Sequence, residues 1–152
     1  MSFFYLSIFL SVLIGIGIIA KLRSYDIYEK ETFLSMFSAF LLGGAVSVIL
    51  SLVFYELIGI SGIDNEIIKT TFGSFAIIGP VEEFSKLTGL IIVYAVMKKQ
   101  FNEVTDGVIY ISCVALGFSI IENFFYANSG PDNQYLLVFR AFISTPAHIS
   151  CS

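Results

Sequence analysis

The sequence predicts an all-α protein, a polytopic transmembrane helix bundle of about five membrane segments forming one integral membrane domain over residues 1–152. Three observations carry that prediction. Of the 152 residues, 57% are hydrophobic and only 13% charged, where soluble domains carry about 25% charged residues, and the mean hydropathy is +0.88. The apolar residues fall in long runs, each near or above the roughly 20 residues a helix needs to cross the hydrocarbon of a bilayer. Connectors with turn chemistry part the runs, as at Ser61-Gly62, Asp64-Asn65, Asp106-Gly107 and Ser129-Gly130-Pro131-Asp132.

The first segment, Phe3 to Ala20, starts almost at the initiator Met and lacks the positive flank and cleavage site of a signal peptide, so it reads as a retained helix. Lys21 to Thr32 is a polar connector whose interleaved Leu22, Tyr25, Ile27 and Tyr28 suit the membrane interface. Phe33 to Ile60 is a long span with a small pair, Gly43-Gly44, where a neighbour can approach, and with an interfacial Glu56. The three remaining segments, about 70–97, 108–127 and 134–152, carry the unusual polar residues. The last is still apolar where the sequence stops, so a chain truncated at its C-terminus is expected.

Composition also excludes some classes of function. A net charge of -4 with no basic patch gives no footprint for nucleic acid. Cys113 and Cys151 lie in apolar stretches and read as small core residues, without the spacing of a disulfide framework or a metal knuckle. Lys and Arg concentrate in the first and third connectors, which places those on the cytoplasmic side and the N-terminus outside.

Against this background Gly79-Pro80-Val81-Glu82-Glu83-Phe84-Ser85-Lys86 stands out, because an ionisable group at mid-bilayer costs about 2.5–3.5 kcal/mol and such groups mark sites. At about 1.5 Å per residue, Glu82, Glu122 and His148 all fall between the outer boundary and the bilayer middle, a depth at which one cavity can hold them. Lys86 can face Glu83 at i+3 or Glu82 at i+4, while the adjacent glutamates point about 100° apart. Pro80 is expected to kink its helix just above them. Phe118 and Glu122 share a face, with Asn123 beside it and Gly117 open to a neighbour; Arg140, Ser144 and His148 form one stripe that Pro146 bends.

These residues resemble the PrsW family of intramembrane proteases, distantly similar to the CAAX prenyl-protease superfamily. Pro80 to Lys86 matches the family's Glu-Glu-x-x-Lys, Asp106-Gly107 through Gly117-Phe118-Ser119-Ile120-Ile121-Glu122-Asn123 matches its Gly-Phe-x-x-x-Glu-Asn segment, and Arg140 to His148 looks like its histidine-bearing segment. Ser112 departs from the pattern, since members often carry glycine there. The resemblance implies Glu82, Glu83, Glu122 and His148 as catalytic positions, with Lys86, Asn123 and Arg140 in support. It also implies hydrolysis of membrane-anchored proteins such as anti-sigma factors, in the cell membrane of a bacterium or archaeon.

The chemistry is consistent with that implication. Peptide hydrolysis in a membrane needs water, a base and donors for the oxyanion, which a glutamate, a histidine and an asparagine amide supply. Neither Ser144 nor Cys151 has a companion base for a covalent route. Three ionised glutamates against Lys86 leave too much charge for an apolar site, so a glutamate keeps a proton, Arg140 joins, or a divalent cation such as zinc binds. The metal-free version is preferred because no His-Glu-x-x-His spacing exists. The other readings are a proton or cation pathway, which uses the same buried Glu, Lys and His, and a structural polar clamp in a scaffold subunit.

Overall fold

A computed structural model of the chain describes residues 2–26, 29–59, 74–128 and 134–152. The described part is helical, without strands. Helix α1 spans Ser2–Tyr25, α2 Phe33–Leu57, α3 Gly79–Val96, α4 Val104–Asn128, α5 Gln134–Phe142 and α6 Ser144–Cys151. A π-helical turn, Ser74–Ile78, leads into α3, and a 3-10 turn, Lys98–Gln100, follows it. Among the described residues three helices are long and apolar enough to cross a membrane: Tyr5–Tyr25, Phe33–Leu57 and Val104–Tyr126.

Local sequence explains where these helices begin and break. Helix α1 runs on through Lys21, Leu22 and Arg23, so the first connector is shorter than the composition suggests. Thr32 caps α2 by accepting from the Ser35 amide at 3.2 Å. Pro80 lies in the first turn of α3, where its missing N–H costs nothing, and the helix changes from π to α geometry just before it. The carbonyl of Val81 is taken by the Ser85 hydroxyl at 2.7 Å. The fifth segment is broken at Ile143, because Pro146 cannot donate to the Phe142 carbonyl. The turns expected at 61–65 and 129–132 lie outside the described residues.

Packing is set by small residues on α2. Helices α3 and α4 both lie against it, and α1 packs on α4 and α5, while α6 returns onto α4. A Cβ on Gly44 would sit 2.7 Å from the Gly117 Cα and 3.0 Å from the Phe118 nitrogen, so α2 and α4 meet backbone to backbone at that pair. Across the other side of α2, a Cβ on Gly89 would lie 2.8 Å from the Gly43 carbonyl oxygen. Both small-residue expectations, Gly43-Gly44 and Gly117, thus resolve into contacts between the helices that carry the polar residues. Cys113 is buried in this core as expected, whereas Cys151 is exposed on the last turn of α6.

Candidate active site

Close contact of α2, α3 and α4, with α6 folded onto α4, brings the ionisable residues of three separate segments together. Glu82 from α3, Glu122 from α4 and His148 from α6 each offer a ligand atom, and those atoms all lie within 4.8 Å of one another. His148 Nε2 is 3.0 Å from Glu122 Oε2. Its other nitrogen, Nδ1, is 3.0 Å from Lys86 Nζ. An ammonium has no lone pair, so Nδ1 must accept and the ring proton sits on Nε2, where it donates to Glu122.

Lys86 is fully buried. It donates to Glu83 Oε1 at 2.5 Å and so serves both the glutamate three residues before it and the histidine of a distant helix. The Phe118 ring packs edge-on to His148 at 5.4 Å and lies 5.2 Å from Lys86 Nζ, which fixes both against one wall. Arg140 Nη2 lies 2.5 Å from Glu122 Oε2. That nitrogen has no aligned hydrogen bond, so the contact is a charge pair. The guanidinium also lies 3.9 Å over the Tyr126 ring, and its Nε donates to Asn123 Oδ1 at 2.8 Å.

The sequence left open which of Glu82 and Glu83 faces the cluster. Glu82 joins Glu122 and His148, and Glu83 turns to Lys86 and to the Ser152 hydroxyl, which donates to it at 3.0 Å. Asn123 differs from expectation. Its amide nitrogen donates to Ser11 Oγ at 3.2 Å and its oxygen accepts from Arg140, so it positions Arg140 and does not present a donor to the cavity. Ser144, on the same stripe as Arg140 and His148, takes no place in this network.

Two contributors escaped the sequence reading. Tyr55 donates to Glu82 Oε1 at 2.8 Å; uncharged and next to Glu56, the only charge on that helix, it carries no mark in the sequence. Ser152, at the end of the last segment, carried no signal at all. Beside the cluster is a cavity of about 230 Å³ whose walls include Tyr55, Glu82, Phe118, Glu122 and Tyr126. With His148 neutral, three carboxylates face two fixed cations, leaving one net negative charge among low-dielectric helices.

A family model described as "PrsW family intramembrane metalloprotease" matches residues 31–152, which is most of the chain. The chain belongs to the PrsW family. It is similar to a protein named "Protease PrsW" from Clostridioides difficile (strain 630), 39% identical over 133 residues, with 84% of this chain and 54% of that protein covered. The chain thus spans about half the length of this curated PrsW relative. No solved structure matches it. The family's description as metalloproteases raises the question of a divalent cation, and the donor set fits one. Two carboxylate oxygens and an imidazole nitrogen grouped within 4.8 Å are ligands that zinc takes. To take a metal at Nε2, His148 would carry its ring proton on Nδ1 instead, and the Lys86 ammonium would have to turn away from that nitrogen.

Proposed function

We propose that this chain carries the catalytic core of an intramembrane endopeptidase that hydrolyses peptide bonds of membrane-anchored proteins, anti-sigma factors among them. The observation that carries this reading is the convergence of Glu82, Glu122 and His148 from three apolar segments, beside a cavity. Charges are too costly in such segments to be retained without a use.

In this reading Glu82, oriented by Tyr55, takes a proton from water and directs it at the scissile carbonyl. The Nε2–H of His148 and the guanidinium of Arg140, both on Glu122 at rest, stabilise the oxyanion as it forms. Lys86 holds His148 in the tautomer that presents this proton. Glu82 then returns the proton it took from water to the departing nitrogen, while Glu122 stays ionised between His148 and Arg140. A cation held by Glu82, Glu122 and His148 would supply Lewis acidity to the same carbonyl. The cavity takes a side chain of the substrate next to the cleaved bond. The balance of Lys and Arg between connectors supports a cell-membrane protein with its N-terminus outside.

The test uses the full-length protein in proteoliposomes with single-span membrane proteins as substrates. Cleavage is expected for wild type and lost in Glu82→Gln, Glu122→Gln and His148→Ala. Cleavage that survives all three substitutions removes the assignment.

A further inference from the structure

Helix α6 carries His148 into the cluster, yet it has only eight residues and is parted from α5 at Ile143. A helix that short has little stability of its own. Its Ile149 is buried, but apolar contact between helices orients them weakly where the surrounding lipid is equally apolar. The direction in which the imidazole points therefore depends on the polar contacts that α6 makes with its neighbours.

Among the described residues two polar side-chain contacts join α6 to α4. One is the Glu122–His148 pair of the cluster. The other lies three residues earlier on both helices, where the hydroxyls of Ser119 and Thr145 are hydrogen-bonded to each other at 2.9 Å. Residues three apart share a helix face, so Ser119 is on the face of α4 that carries Glu122, and Thr145 is on the face of α6 that carries His148. Ser119 and Thr145 are both fully buried. Hydroxyls inside helices commonly turn back to the carbonyl four residues before them, as those of Ser47, Ser85 and Ser112 do at 2.6, 2.7 and 2.7 Å. Ser119 and Thr145 instead bond between helices. A single bond would let α6 pivot about it, whereas two bonds about one turn apart set its rotation as well.

We infer that Ser119 and Thr145 are positioning residues, a neutral latch between α4 and α6 that holds His148 with Nε2 on Glu122 and Nδ1 on Lys86. Neither residue lines the cavity beside the cluster, so both act through His148 and not on the substrate. The kinetic consequence rests on the endopeptidase reading above, in which the Nε2–H of His148 stabilises the oxyanion. Interhelical hydrogen bonds in membranes are individually modest. A misplacement of about 1 Å at a reacting group, however, costs on the order of 10²-fold in rate, so loss of the latch falls on turnover more than on folding.

The test removes each hydroxyl from the full-length protein and follows both cleavage in proteoliposomes and the ring nitrogens of His148. Thr145→Val, which keeps the side-chain shape, and Ser119→Ala are each expected to lower kcat tenfold or more with KM within about twofold of wild type. The double variant is expected to lose no more than the worse single one, because the two hydroxyls act as a unit. Thr145→Ser, which keeps the hydroxyl, is expected to keep most of the activity. A kcat within twofold of wild type in both single variants overturns the inference; so does a Thr145→Ser loss as large as that of Thr145→Val, which would assign the effect to the methyl group. The second measurement is ¹⁵N magnetic resonance of labelled histidine. His148 is the one histidine of these 152 residues, and its signals are identified by their loss in His148→Ala. In wild type the ring is expected to be neutral with its proton on Nε2, and in Thr145→Val and Ser119→Ala the signals are expected to move toward averaged tautomers. Ring signals unchanged in both variants overturn the latch whether or not the protein cleaves anything. Absence of cleavage by wild type defeats the endopeptidase reading instead, and leaves the resonance result to decide the latch.

Discussion

Substituting Gly44 by alanine tests whether backbone contact between α2 and α4 sets the geometry of the polar cluster. The added Cβ would meet the Gly117 Cα at 2.7 Å, the Gly117 carbonyl carbon at 2.8 Å and the Phe118 nitrogen at 3.0 Å. Ordinary carbon contacts lie at about 3.5–4.0 Å, so relief needs a separation of roughly 1 Å. All three atoms are backbone, and no rotamer change can absorb the overlap. Overpacking of this kind costs about 1–3 kcal/mol. The displaced segment begins at Phe118, which packs on His148, and Glu122 lies one turn beyond. A misplacement of about 1 Å at reacting groups costs on the order of 10²-fold in rate. Unfolding in mixed micelles and single-turnover cleavage in proteoliposomes measure the two effects separately. Gly17→Ala is the control, because a Cβ there meets nothing within 4 Å. If Gly44→Ala keeps stability within about 0.5 kcal/mol and activity within about twofold of the control, the contact does not set the site and the reasoning fails.

Three further outcomes follow from the same geometry. Tyr55→Phe removes the hydroxyl on Glu82 while keeping the ring; a hydrogen bond to a charged group is worth about 1.5–3 kcal/mol, so cleavage kinetics are expected to slow about tenfold or more. Asn123→Ala leaves Arg140 Nε and Ser11 without their partner; the expected loss is about 1–3 kcal/mol in unfolding, and an unchanged midpoint contradicts a positioning role. Elemental analysis of the full-length protein after exhaustive chelation, with cleavage measured on the same samples, tests the Nε2–H role of His148: cleavage by metal-free protein is expected to persist, and cleavage that instead follows zinc occupancy, with zinc lost from Glu122→Gln and His148→Ala, refutes that role in favour of a cation at the trio.

Much of the site was legible in the residues, for a definite reason. Charges such as Glu82, Glu83, Lys86 and Glu122 inside apolar runs carry a desolvation cost that composition alone exposes. A fixed rise per residue turns their positions into depths, which placed Glu82, Glu122 and His148 at compatible levels. What depth cannot give is azimuth. Tyr55, one position from Glu56, is not marked by the sequence, because only the rotation of α2 about its axis decides which of the two faces Glu82. The direction of the Asn123 amide was equally hidden, since it depends on Ser11 from α1 and Arg140 from α5.

The sequence by itself therefore determined a helix bundle with long apolar spans and the order of its polar motifs, since these rest on hydropathy and turn chemistry, both local properties. Tertiary structure alone decided that Gly44 and Gly117 are each other's neighbours, that Glu82 and not Glu83 joins Glu122 and His148, and that Ser119 meets Thr145. Those are contacts between residues far apart in the chain, and lateral helix packing chooses among many arrangements that the same apolar faces would allow.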